Sequence, residues 1–221
     1  MSELLDGSGA ILGFLGAWYG PPDRPADTEI PGADRLPPAL REWYAITSQY
    51  IRPVLFNHKV FPADQVCEYD GVLEFCMDDF EYQQFGVALG DADPVVLQRV
   101  VSSDDLWEPW GLKLSQFLHA LLVHETTQGA RHAAAADQLT SDQVEYLLAP
   151  LRKMSGPQLF TTHYVGEGLL ATAWPSTGPE GCWTVQLAAR TDGLLTYAES
   201  LPGVKFGPGE WCPNDGLTAP D

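Results

Sequence analysis

Asp70-Gly71-Val72-Leu73-Glu74-Phe75 is followed by Phe85-Gly86-Val87-Ala88-Leu89, by Asp93-Pro94-Val95-Val96, by Trp107 and by Leu114-Ser115-Gln116-Phe117-Leu118. Apolar and polar residues alternate through the first two runs, the period of a half-buried strand. Residues 72–76 and 83–89 therefore read as strands joined by the acidic turn Asp78-Asp79-Phe80-Glu81. Residues 94–101 read as a further extended piece, with Pro94 at the first position, where no ladder donor is lost. Ser115 then caps a helix that carries Phe117, Leu118, Leu121, Leu122 and Glu125 along one side, and Gly129 stops it.

Upstream, Ile11, Phe14, Leu15 and Trp18 recur at helical spacing behind Asp6 or Ser8 as cap, and Gly20-Pro21-Pro22 closes that helix. Residues 20–35 form a loop rich in Pro, Gly and Asp. Pro37 and Pro38 open a second helix, which buries Leu40, Trp43 and Tyr44. Residues 54–60 read as the first strand.

Downstream, residues 133–136, four alanines, read as a low-complexity link. Thr140 with Gln143 fits a capping box ahead of the stripe Val144, Leu147, Leu148 and Leu151, and Pro150 ends that helix near Ala149. Residues 160–165, 169–174 and 182–189 read as strands, with Gly166-Glu167-Gly168 as the first turn between them. Asp192-Gly193 is a hairpin signal, but Leu194, Tyr197, Ala198 and Leu201 lie at helical spacing behind Thr191, and helix is the preferred reading for 191–202. The tail from Pro202 reads as loop.

Twelve basic residues against 30 acidic give a net charge of −18, although only 19% of residues are charged. Such a field repels nucleic acid and anionic membrane surfaces and speeds encounter with basic partners. Cys67, Cys76, Cys182 and Cys212 form no close pair, so they read as thiols in a reducing compartment. The first basic residue is Arg24, the wrong polarity for a signal peptide, and no apolar run approaches a membrane span. A cytoplasmic protein is expected.

Catalytic and metal motifs are not evident. His124-Glu125-Thr126-Thr127-Gln128 places glutamine where a metalloprotease helix needs its second histidine. His58 and His163 are expected as isolated strand residues at the surface or its boundary. No nucleophile elbow, Walker loop or dinucleotide fingerprint follows a strand. The aspartate-rich turns lack the glycine and terminal glutamate of a calcium loop. No cofactor and no metal are expected.

Charge is the remaining functional signal. The candidate partner-binding residues are Asp78, Asp79 and Glu81, Asp91 and Asp93, and Asp104, Asp105 and Glu108. The first two clusters fall at opposite ends of the 83–89 strand. Carboxylates at sheet rims meet lysines and arginines of a partner, giving on-rate and specificity. The alternative is that they only guard sheet edges against aggregation.

The ordered set Leu36-Pro37-x-x-Leu40-x-x-Trp43-Tyr44, Asp70 to Phe75, Phe85-Gly86-Val87, Asp93-Pro94-x-Val96, Trp107 and Leu114-Ser115-x-Phe117-Leu118 resembles the SUKH superfamily, which contains bacterial toxin-immunity proteins and fungal cell-wall-synthesis regulators. The resemblance covers roughly residues 8–128. Leu187 to Thr191, followed by Leu194-Leu195, is similar to a C-terminal extension found in such proteins. The chain departs from the family in Thr47-Ser48-Gln49-Tyr50, where a glycine is common, and in the 78–84 loop.

The resemblance implies an α+β fold in which helices pack on one face of a twisted, mostly antiparallel sheet. It also implies a non-catalytic protein that binds and neutralises a toxin domain, such as a nuclease. One domain spanning 1–221 is expected, with a family core at 1–135, a C-terminal α/β extension at 136–205 and a tail at 206–221. The alternatives from other classes are an interaction scaffold without a toxin, and an enzyme whose site is assembled in space around His124.

Overall fold

The computed structural model describes residues 9–27, 29–101, 106–154 and 159–208. Where the sequence reading takes 1–221 as one compact domain, the backbone divides into two compact units, Ser2–Leu122 and Val123–Asp221. The class is α+β as expected, but the strands are shared between two antiparallel sheets instead of one. Among the described residues no helix is long and apolar enough to cross a membrane.

In the first unit, helix α1 (Ala10–Tyr19) buries Ile11, Phe14 and Leu15 of the expected stripe, and Trp18, its fourth member, is half-buried. Gly9 stands at its N-cap; Asp6 and Ser8 lie outside the described residues. Helix α2 (Pro38–Thr47) starts on proline, whose missing N–H would have no partner in a first turn anyway. It buries Leu40, Trp43 and Ile46, while the Tyr44 hydroxyl donates to the Phe61 carbonyl at 2.5 Å.

Six strands follow: β1 (His58–Val60), β2 (Cys67–Tyr69), β3 (Val72–Asp78), β4 (Gln83–Ala88), β5 (Val95–Val100) and β6 (Glu108–Lys113). The sheet order is β1-β3-β4-β5-β6, with β2 also paired to β3. The expected 54–60 strand shrinks to β1, whose ladder begins where His58 meets Asp78. Two strands were not expected. The residues of β2 are all exposed and give no apolar alternation. Pro109 and the left-handed Gly111 disguise β6, an edge strand where both are tolerated. Asp70 and Gly71 join β2 to β3 with φ of 52° and 78°, the pair of left-handed residues that a two-residue hairpin demands.

Helix α3 (Leu114–Gln128) supplies the apolar partner of this sheet. Phe117 meets Phe85 at 4.8 Å and Phe75 edge-on at 5.7 Å, and all three rings are fully buried. Ser115 is not its cap, because the helix already begins at Leu114. Lys113, which precedes it, has no acceptor side chain, so the free amides of the first turn find acceptors elsewhere. Lys113 N–H donates to Gln116 Oε1 at 3.1 Å, and Leu114 N–H to the Pro94 carbonyl at 2.8 Å. Asp93 accepts from Ser115 N–H at 2.9 Å through Oδ1 and from the Ser115 hydroxyl at 2.7 Å through Oδ2. Asp93 thus caps the helix from a neighbouring turn and opposes its positive end. Asp93→Ala is expected to lower stability by about 1–2 kcal/mol in urea unfolding.

In the second unit, residues 133–136 do not form a link. They lie within β7 (His132–Leu139), which pairs with β11 (Trp183–Ala189). Alanine has little strand preference of its own, and the cross-strand partners override it. The remaining strands are β8 (Arg152–Lys153), β9 (Thr162–Val165), β10 (Leu169–Pro175) and β12 (Gly207–Pro208), in the order β12-β7-β11-β10-β9-β8. The short β8 was not expected, and β12 lies in the stretch from Pro202 that the sequence reads as loop, its two residues held by pairing with Ala134 and Ala135 of β7.

One face of this sheet presents Ala171, Ala173, Val185, Leu187 and Ala189 to a core completed by Leu147, Leu195 and Ala198. Leu147 belongs to α4 (Ser141–Leu148), which carries the expected Thr140–Gln143 capping box and ends at Ala149, before Pro150. Residues 192–195 form a 3₁₀ turn that runs into α5 (Thr196–Glu199), so helix prevails over hairpin there. Thr191 stands at the cap position without a side-chain cap bond.

Candidate partner-binding surface

The antiparallel register separates the acidic residues into two sets. Gln83 pairs with Val100 and Gln98 with Glu108, so the β3–β4 turn and the start of β6 lie toward one end of the first sheet. Val87 pairs with Val96, which puts Asp91 and Asp93 at the other end. The opposite-ends expectation is met. Asp104 and Asp105 lie outside the described residues.

The two sets do different work. Asp93 caps α3, and Asp91 Oδ1 accepts from Asp93 N–H at 3.2 Å. At the β3–β4 end, Asp78 Oδ1 accepts from Tyr82 N–H at 2.7 Å and from Gln83 N–H at 3.0 Å. Glu81 adopts a left-handed φ of 54°, its N–H donating to the Asp78 carbonyl at 3.0 Å, and Asp79 N–H donates to the Asn57 carbonyl at 2.9 Å. Asp78 therefore closes the turn. Asp79, Glu81 and Glu108 are exposed, and no side-chain hydrogen bond or ion pair engages their carboxylates among the described residues.

A second polar group escaped the sequence reading. Arg99 on β5 donates from Nε to Gln84 Oε1 at 2.5 Å and from Nη2 to Glu74 Oε2 at 3.0 Å. Its guanidinium also lies over the Tyr69 ring at 5.0 Å and the Trp107 ring at 4.7 Å. Burial raises the Glu74 carboxyl above its usual pKa, and the Arg99 charge and hydrogen bond pull it back down. The arginine is engaged along its edge and against both rings, so it organises a sheet face. Trp107 comes close to Gly86, where an added Cβ would stand 3.1 Å from Cη2 and 2.4 Å from Val72 Cγ1. Gly86→Ala is expected to cost about 1–3 kcal/mol by overpacking, read as a lowered melting temperature. The signal in the sequence was a lone cation in an apolar strand with tryptophan nearby, which spacing alone does not join.

In the second unit, His124 Nδ1 and His163 Nε2 stand 3.4 Å apart, with the rings edge to face. The Phe160 ring lies 5.3 Å from His124. His163 is fully buried and His58 nearly so, which corrects the expectation of surface or boundary residues. His163 pairs across the ladder with Thr172, and Thr172 with Gln186, whose Nε2 donates to the Thr127 carbonyl at 3.3 Å. Glu125 is also fully buried. Among the described residues no three histidine, cysteine, aspartate or glutamate side chains are grouped to hold a metal. Burial first, and then the neighbouring His124, hold the His163 pKa down at about 3, so the ring is neutral at neutral pH. Separated by 39 positions, the pair had no signature in the sequence.

In comparisons with known proteins, no family model, no curated protein and no solved structure matches this chain.

Proposed function

We propose that this protein is a non-catalytic, SUKH-like immunity protein of the cytoplasm that binds a basic toxin domain and neutralises it by occlusion. The observation that carries the reading is the β3–β4 turn. Asp78 clamps it from within, and the outward carboxylates of Asp79 and Glu81 are left for a partner. A toxin that acts on nucleic acid needs a basic surface, and a −18 protein meets that surface with a complementary field. Cys67, Cys76 and Cys182 take part in no disulfide among the described residues, which accords with a reducing compartment. The sequence likeness over residues 8–128 supplies the toxin class.

Co-expression with any toxin-like domain found encoded in a neighbouring open reading frame tests the proposal. Rescue of growth and a stable complex on gel filtration are expected; failure to bind or protect against any locally encoded toxin sinks it. The charge argument has its own measurement. Converting Asp79 and Glu81 together to lysine is expected to slow association about tenfold and flatten its salt dependence. Asp78 is left in place because its carboxylate holds the turn.

A further inference from the structure

We infer that the partner docks on the β3–β4 end of the first sheet through Phe80 and Tyr82, seated in an apolar cleft rimmed by lysines or arginines. This rests on the toxin-binding reading and gives it a location.

The two ends of the sheet are not equivalent. At the β4–β5 end Asp93 is consumed by the helix cap, and Asp91 accepts the Asp93 amide. At the β3–β4 end Phe80 is 74% exposed and Tyr82 56% exposed. Val101, 46% exposed, donates its N–H to the Tyr82 carbonyl at 2.9 Å and so extends the same apolar surface. Large exposed apolar groups gathered at one place are the informative exception on a protein surface. Aromatic rings are efficient anchors, burying much area for few rotatable bonds.

The tip is also preorganised. Three hydrogen bonds with Asp78, two to its carboxylate and one to its carbonyl, and one to the Asn57 carbonyl hold the backbone that carries both rings. Little ordering cost then remains to be met on binding.

The charge pattern selects the occupant. Asp79, Phe80, Glu81 and Tyr82 are consecutive and all exposed, so a surface that buries the rings lies within one or two residues of both carboxylates. A purely apolar partner would leave those carboxylates desolvated and unpaired, which is costly. A second copy of this chain would oppose like charges, and nucleic acid would be repelled. A basic protein cleft satisfies both the rings and the charges.

The test uses the full chain titrated against each toxin-like domain found encoded in a neighbouring open reading frame. Phe80→Ala/Tyr82→Ala is compared with the wild type and with Asp91→Asn at the far end of the sheet. The double variant is expected to weaken Kd by about 100-fold or more, mainly through faster dissociation, with an unchanged melting temperature. Asp91→Asn is expected to bind as the wild type does. An unchanged Kd for the double variant beside a tight wild-type complex overturns the surface while leaving the immunity reading standing. No wild-type complex with any such domain overturns the reading beneath it. A wild-type dimer that dissociates in the double variant assigns the patch to self-association and overturns the toxin assignment.

Discussion

Taking the protein from pH 6.5 to pH 5 should destabilise the wild type by about 2 kcal/mol more than it destabilises His163→Gln. In the folded protein His163 is buried and its pKa lies at about 3, whereas an unfolded histidine titrates near its model value of 6.5. Above pH 6.5 the ring is neutral in both states and the native state bears no penalty. Below it the unfolded chain binds a proton that the folded chain refuses. Stability is therefore lost as pH falls from about 6.5 toward about 3, at roughly 1.4 kcal/mol per pH unit. The neighbouring His124 acts in the same direction as burial, and a hydrogen bond to the Thr161 backbone opposes it. Glutamine keeps a donor and an acceptor at that place and does not titrate. Hydrogen exchange of β9 and β10 amides at the two pH values reads the difference; parallel profiles for wild type and variant would mean that His163 protonates normally.

Phe117→Ala is expected to cost about 3–5 kcal/mol of stability in urea unfolding. The ring is fully buried between Phe75 and Phe85, and Phe85 is itself packed edge-on against Trp110 at 5.7 Å. Removing it opens a cavity lined by rigid rings on two strands, which cannot close without disturbing the β3–β4 ladder. A loss below about 1 kcal/mol would show that the cluster repacks freely and does not hold α3 to its sheet.

The parts of the fold readable in the sequence are those where local pattern and tertiary burial agree. The Phe75, Phe85 and Phe117 positions, the α1 stripe and the Thr140–Gln143 capping box all belong there. The alanines of β7 carry no strand signal of their own because their strand conformation comes from β11, not from alanine. Ser115 looks like a cap in the sequence for a related reason: the true acceptor is Asp93, from a turn 22 positions earlier. The acidic residues were found by composition, but composition does not separate Asp93, spent on a helix end, from Asp79 and Glu81, which face water. The Arg99 and His124–His163 groups depend on strand register and helix placement, which no motif spacing encodes.

The most direct test of the central claim is a hydrogen–deuterium exchange footprint of the full chain in complex with a toxin-like domain found encoded in a neighbouring open reading frame. Binding at the β3–β4 end predicts new protection across residues 78–83 and 100–101, with residues 89–93 unchanged. Protection confined to residues 89–93, or to the second sheet, would contradict the account.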